Sequence, residues 1–192
     1  MEATTWRIVV VLRAIKRASG GVGLGGTLLL ALAPAVAGAQ HSSGTPRPVP
    51  TCRPAQLALS SVMEGAAGGS VREVFRWRNH STATCTLRGY PHVRLLDARS
   101  RAVPIVVHHG ASYLTPPAPV RVVRLHQGDA AYFSLEWGHN AGAGITCVVV
   151  RHALLTPPGT SSPQPIGGWA ERMTVCGPYL NVSPVEPKVF TY

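Results

Sequence analysis

One stretch of the chain decides its fold class: Val71-Arg72-Glu73-Val74-Phe75-Arg76-Trp77-Arg78-Asn79. Within it, Val71, Phe75 and Trp77 recur with a period of two, which is the period of a β-strand. The pattern therefore predicts a strand whose apolar face packs against a core. The opposite face carries Arg72, Arg76 and Arg78, which we consider candidate contacts for an anionic ligand.

The rest of the chain repeats this pattern in short runs separated by turn residues. No stretch after Gln40 keeps a helical period for ten residues. About eight strands are predicted, at residues 71–79, 84–87, 92–96, 103–107, 120–125, 131–137, 145–150 and 173–182. Such a succession predicts an all-β fold, an Ig-like antiparallel β-sandwich. Two connections are long, residues 108–118 and 157–169, and long loops in compact domains are often functional.

The first 39 residues have the pattern of a secretory signal peptide. Cationic residues precede an uncharged apolar stretch, and Ala37-Gly38-Ala39 supplies the small residues that a signal peptidase recognises. We therefore predict cleavage after Ala39 and a secreted, extracellular protein with no stable membrane span. The alternative is a protein tethered to the membrane through an uncleaved signal. Residues 40–51 are predicted to be a flexible Pro- and Ser-rich linker, and residues 52–192 the β-sandwich domain.

All four cysteines lie beyond the predicted signal: Cys52, Cys85, Cys147 and Cys176. An even number of cysteines in an exported domain predicts structural disulfides, and four cysteines allow three pairings. The two local pairings, Cys52 with Cys85 and Cys147 with Cys176, fit a sandwich best because each would tie neighbouring segments. Spacing by itself leaves the other pairings open.

The chain is strongly basic, with 18 Lys and Arg residues against 8 Asp and Glu residues and a formal net charge of +10. One interpretation is a surface that attracts anionic partners. The other is arginine spread over solvated faces, which is favoured by the lack of any clustered basic run. Nucleic acid is not an expected partner, because the sequence has no motif of a nucleic-acid-binding fold.

The segments Phe75-Arg-Trp-Arg-Asn79 and Cys85-Thr-Leu-Arg-Gly-Tyr-Pro91 occur in a fixed order with Tyr132-Phe-Ser-Leu-Glu-Trp137. Together with Cys147 and Cys176, this order resembles a secreted, mostly actinobacterial family known as domain of unknown function 4232. The resemblance spans nearly all of the predicted domain. It implies an Ig-like β-sandwich behind an export signal, and it implies no activity.

The sequence contains no pattern of a catalytic site, so we do not expect an enzyme or a cofactor. His108 and His109 are the most obvious candidate metal ligands, but adjacent residues of a strand point to opposite faces. No metal site is therefore predicted. If the protein is an enzyme, the alternative is a cell-envelope hydrolase or a metal-dependent enzyme that uses these loop histidines.

Two aromatic residues in predicted loops are further candidate ligand contacts, Trp169 and Tyr113. Trp77 and Trp137 fall in strand patterns and are expected in the core. We predict an exported, non-catalytic β-sandwich module that binds a protein or an anionic component of the envelope. A further alternative is a secreted protease inhibitor that presents residues 111–119 or 157–165 to a protease.

Overall fold

The computed structural model describes residues 47–170 and 173–189, which belong to the compact unit Gly44–Tyr192. The predicted signal peptide and its cleavage site after Ala39 lie outside the described residues. The described chain is all-β, with a short 3₁₀ turn at Pro54–Gln56 ahead of the first strand. No helix in this part of the chain is long and apolar enough to cross a membrane.

The described residues form twelve strands: β1 (Leu57–Ala67), β2 (Ser70–Asn79), β3 (Cys85–Arg88), β4 (His92–Leu96), β5 (Val106–His109), β6 (Val122–Leu125), β7 (Ala130–Gly138), β8 (Cys147–Val149), β9 (His152–Thr156), β10 (Gln164–Pro165), β11 (Thr174–Cys176) and β12 (Tyr179–Val182). The main sheet has five strands in the order β1-β2-β7-β12-β5. Three small sheets, β10-β9-β4, β11-β8 and β3-β6, contain the others.

The core lies between the main sheet and the small sheets. Phe75 and Trp77 of β2 are fully buried, and Phe133 of β7 stacks on both of them at centroid distances of 5.4 Å and 4.4 Å. The small sheets contribute further residues of the same buried cluster: Leu87, Val93, Leu95, Val123, Leu125, Ala153 and Leu155. The predicted alternation of β2 is thus confirmed on its apolar side, and the layers pack face to face as in a sandwich.

Both favoured disulfides are present, so the predicted pairing is confirmed. Cys52 is bonded to Cys85 at the start of β3, across a sequence separation of 33 residues. Cys147 of β8 is bonded to Cys176 of β11, which lies directly opposite it in the strand register. The two bonds close separate loops of similar length.

Three features of the fold differ from the sequence prediction. β1, the longest strand, β9 and the two-residue β10, which lies within the predicted connection 157–169, were not among the predicted strands. β1 lies at the edge of the sheet with most of its residues exposed, so neither of its faces needs a continuous apolar pattern. β5 pairs with β12 in parallel, an exception to the predicted antiparallel arrangement. Hydrogen-bonded structure also begins before Cys52, because Pro50 O accepts the backbone N–H of Thr86 at 2.9 Å.

Candidate functional site

The three predicted arginines of β2 all lie on the outer face of the main sheet, which is the face turned away from the core, and two of them reach solvent there. Arg76 and Arg78 alternate with the buried Phe75 and Trp77, and they are half-buried and exposed respectively. The β2–β7 register places Arg76 directly opposite Tyr132. Cross-strand neighbours share a face, so this aromatic ring belongs to the same surface as the guanidinium groups.

A third arginine, from another strand, completes an open cleft at this position. The cleft has a volume of about 470 Å³, and its walls include Arg76, Arg78 and Arg124 together with Tyr132. Arg124 is an exposed residue of β6, a strand that pairs with β3 outside the main sheet. We call this feature the arginine cleft. It brings together three cations that are up to 48 positions apart in the sequence.

Arg76 and Arg78, the two cleft arginines of β2, are each held by a hydrogen bond from Nε. Arg76 Nε donates to Ser60 Oγ at 3.0 Å, and Arg78 Nε donates to the carbonyl oxygen of Gly128 at 3.1 Å. Among the described residues, Asp97 and Glu186 form ion pairs with Arg101 and Arg121, and no carboxylate forms an ion pair with an arginine of the cleft. The arrangement is therefore a cluster of positive charge open to solvent, in which two of the three arginines are held by hydrogen bonds.

The turn between β6 and β7 forms one wall of the cleft. Gly128 has a φ of +89°, a conformation that favours glycine, and its N–H donates to Asn79 O at 2.8 Å. The carboxylate of Asp129 also lines the cleft, but its Oδ2 accepts the backbone N–H of His126 at 2.9 Å. This carboxylate closes the turn, as Asp residues in turns commonly do. Its charge offsets part of the positive charge of the cleft.

Arg72 does not belong to the arginine cleft, so the three candidate arginines of β2 do not form one surface. Its side chain is buried, with 3% of the residue exposed, and Nη1 donates to the carbonyl oxygen of Leu114 at 2.7 Å. In the strand register Arg72 lies directly opposite Glu136. The cause of its burial is the connection after β5, which crosses the outer face of the sheet at this point.

Glu136 anchors that connection. Its carboxylate accepts hydrogen bonds from the hydroxyl of Ser112, the N–H of Leu114 and the hydroxyl of Thr115. Thr115 is itself buried and lies 3.2 Å from Ser134 through their hydroxyl groups. Residues 112–115, within one of the two segments that the sequence suggested as a protease-inhibitory loop (111–119), are thus fastened to the sheet.

The two candidate aromatic contacts lie on opposite sides of the main sheet. Tyr113 is 71% exposed, and its ring lies against Gly68 in the turn between β1 and β2. Trp169 is only 5% exposed and packs edge-on against Phe75 and Trp137 on the core side, at centroid distances of 4.7 Å and 5.7 Å. Trp169 is therefore a core residue and not the exposed loop residue that was expected, and the two residues do not form one binding surface.

The histidine pair does not converge on one point. His108 and His109 are consecutive residues of β5, and their rings contact different tyrosines, Tyr179 and Tyr90 respectively. In the described residues there is no group of three or more His, Cys, Asp or Glu side chains arranged to hold a metal ion. These positions give no geometric basis for the metal-dependent alternative.

Two residues of the arginine cleft were not predicted from the sequence, Arg124 and Tyr132. Each lies in a correctly predicted strand, at a position that alternates with buried neighbours such as Val123 and Phe133. Their outward direction could be read from this alternation. Tyr132 lies beside Arg76 because β2 pairs with β7, and Arg124 approaches through the packing of β6 beside β7. The local pattern encodes neither relationship.

The family model described as Domain of unknown function (DUF4232) matches residues 52–186. None of the curated proteins and none of the solved structures matches this chain.

Proposed function

The chain belongs to the family Domain of unknown function (DUF4232), and we propose that its domain is an exported, non-catalytic module that binds an anionic polymer of the cell envelope. The arginine cleft is the proposed contact. The polymer class is one that repeats phosphate or carboxylate groups along its length.

The observation that carries this proposal is the convergence of Arg76, Arg78 and Arg124 on one cleft. Guanidinium groups are planar donors that match phosphate and carboxylate oxygens in pairs, and they remain charged at every physiological pH. Tyr132 adds a phenol at the same surface, a group that can pack against the uncharged part of a sugar or an alkyl chain. An open cleft suits a polymer, because an internal segment of a long chain can bind there without an end being threaded through the site.

The compartment is part of the same proposal. Two disulfides in a domain of this size support an oxidising environment, which in cells is found outside the cytoplasm. The signal-like pattern of the first 39 residues supports the same route. Envelope polymers that carry phosphate or carboxylate groups are then the anions that the protein meets at high local concentration.

The carboxylates of the described core support a binding role over a hydrolytic one. Glu73 is 1% exposed and accepts a hydrogen bond from Ser61, and Glu136 is 6% exposed and is occupied by the segment that it anchors. Glycoside hydrolysis needs two carboxyl groups that face a substrate from both sides of the scissile bond. The third buried carboxylate, Glu186, is 3% exposed and pairs with Arg121, so none of the three faces solvent.

Retention of the purified protein on three matrices tests this proposal: immobilised polyphosphate, immobilised polyglutamate and neutral dextran. Each is run at about 10 mM and about 1 M salt, where the Debye length is about 30 Å and about 3 Å. We expect retention on one or both anionic matrices at low salt, its loss at high salt, and no retention on dextran. Elution from all three matrices in the void volume at low salt would contradict an anion-binding role.

A further inference from the structure

β1 is an edge strand whose second half is open to solvent on its unpaired side. β2 pairs with one side of β1, and among the described strands none pairs with the other side. Val62 forms a bulge, after which residues 63–67 keep a regular register with β2 and are exposed. An exposed edge of this kind presents unpaired backbone N–H and C=O groups to another strand.

A hollow lies on each face of the sheet beside this half of β1. On the outer face, Met63, Gly65 and Val74 help to line a hollow of about 350 Å³ that extends to Leu114. On the core face, Ala66 and Trp137 help to line one of about 260 Å³. Because successive side chains of an added strand point to opposite faces, a strand paired with β1 would place its side chains over both hollows in turn.

We propose that the strand that pairs with β1 is β1 of a second copy of this chain, antiparallel and related by a two-fold axis at Gly65. In this register Met63 of each copy lies opposite Ala67 of the other, and Glu64 lies opposite Ala66. The side chain of Met63, 44% exposed in one copy, then lies over the outer-face hollow beside the other copy's small residues.

Side-chain charges permit a second copy as the occupant and select the register. The chain has a formal net charge of +10, yet β1 contains no Lys or Arg, so pairing two copies of β1 sets no cation of one strand opposite a cation of the other. A two-fold axis at Glu64 would set two carboxylates directly opposite each other, which is destabilising. An axis at Ala66 would pair Met63 and Glu64 with the turn residues Gly69 and Gly68, which lie outside the strand.

The pairing has a geometric consequence for the arginine cleft. The two-fold axis of an antiparallel strand pair is perpendicular to the sheet, and directly opposite residues share a face. Two five-stranded sheets would therefore join into one, with both outer faces and both arginine clefts on the same side. The dimer does not depend on the proposed function, but it would let one long polymer contact both clefts.

A substitution at the proposed axis gives the first test. Gly65 has no neighbouring atom within 4 Å of an added Cβ and carries no positive φ, so Gly65→Lys is compatible with the monomer fold. Gly167 is an exposed glycine with the same freedom, and Gly167→Lys is the matched control. Sedimentation equilibrium is measured for wild type and both variants from about 1 µM to about 1 mM.

We expect wild type and Gly167→Lys to dimerise with the same constant, and Gly65→Lys to be weakened at least about tenfold, because two like charges meet at the axis. Circular dichroism verifies that each variant is folded. A monomeric wild type across the whole range would overturn the proposal. A dimer that tolerates Gly65→Lys would overturn it as well, since the interface would then lie elsewhere.

A cross-link tests the register independently. Directly opposite residues of antiparallel strands have Cα atoms about 4.5–5.5 Å apart, which is within disulfide range. Gly65→Cys is therefore expected to give a covalent dimer under mild oxidation, linked through position 65 in both chains by non-reducing peptide mapping. If Gly65→Cys forms no more covalent dimer than Gly167→Cys, the proposed register is wrong.

Discussion

The carboxylate of Glu136 accepts the backbone N–H of Leu114, with Oε2 at 3.0 Å and Oε1 at 3.1 Å. This contact fixes the long connection after β5 against the outer face of the main sheet. The same connection buries Arg72, whose Nη1 donates to the carbonyl oxygen of Leu114. Two buried charged side chains of neighbouring strands thus hold one residue of the connection by its N–H and its C=O.

Glu136→Gln should release this connection without unfolding the domain. A neutral amide is a weaker acceptor and cannot take up all the donors that converge on the carboxylate, so we expect a loss of about 1–3 kcal/mol in the free energy of unfolding. Hydrogen exchange should accelerate in residues 110–119 and stay unchanged in β8 and β11. Uniform acceleration across the domain would contradict an anchoring role for Glu136.

Trp169→Ala and Tyr113→Ala should differ sharply in stability. Removal of the buried Trp169 side chain leaves a cavity beside Phe75 and Trp137, with an expected loss of about 3–5 kcal/mol. Removal of the exposed Tyr113 side chain should change the free energy of unfolding by less than about 0.5 kcal/mol. Urea unfolding measures both, and equal effects would show that Trp169 is not part of the core.

Replacing the Cys147–Cys176 pair by two alanines should destabilise the domain about as much as replacing Cys52–Cys85. The loops closed are of similar length, with sequence separations of 29 and 33 residues. The loop-entropy relation gives about 3–4 kcal/mol for either pair. Guanidinium unfolding of the two double variants checks this, and a cost below about 1 kcal/mol for either pair would contradict the relation for that loop.

Glu186 should make the free energy of unfolding fall as the pH rises above the ordinary pKa of a glutamate. Burial raises the pKa of its carboxyl, and the Arg121 guanidinium at 3.0 Å offsets part of that effect. The native state therefore holds this proton to a higher pH than the unfolded state, whose pKa is about 4.3. Ionisation of Glu186 then lowers the free energy of unfolding as the pH rises from about 4.3 through the folded pKa.

Glu186→Gln removes this titration. The stability of the variant relative to wild type should therefore increase with pH across the same window, as measured by urea unfolding at several pH values. A difference between the two proteins that does not change with pH would show that the pKa of Glu186 is not raised.

The features that the sequence predicts best are those that depend on local alternation of apolar and polar residues. The strand around Phe75 and Trp77 follows from its period, because it is encoded within a single segment. The two local disulfides are the favoured choice among three pairings, and the structure decides between them. β1 escapes prediction because an exposed edge strand has no buried face to impose a pattern. The segment Leu57-Ala-Leu-Ser-Ser-Val-Met-Glu-Gly-Ala-Ala67 accordingly looks like a loop.

The candidate site is less predictable than the fold. Arg72 and Arg76 have the same position in the alternating pattern, yet one is buried and the other lines the arginine cleft. What separates them is a connection from about 40 residues further along the chain, together with the carboxylate of Glu136 that holds it. Arg124 joins the cleft through the packing of β6 beside β7, a relationship between strands that no single segment contains.

The central claim, that the arginine cleft binds an anionic polymer, is tested most directly with two triple variants of equal net charge. One carries Arg76→Gln, Arg78→Gln and Arg124→Gln, and the other carries Arg94→Gln, Arg99→Gln and Arg151→Gln at exposed positions outside the cleft. The dissociation constant of each is measured by calorimetric titration with soluble polyphosphate and with polyglutamate at low salt. We predict that the cleft variant binds at least about tenfold more weakly than wild type, a change of about 1.4 kcal/mol, while the control stays within about twofold. Equal weakening of the two variants would contradict the claim, because binding would then follow net charge and not the cleft.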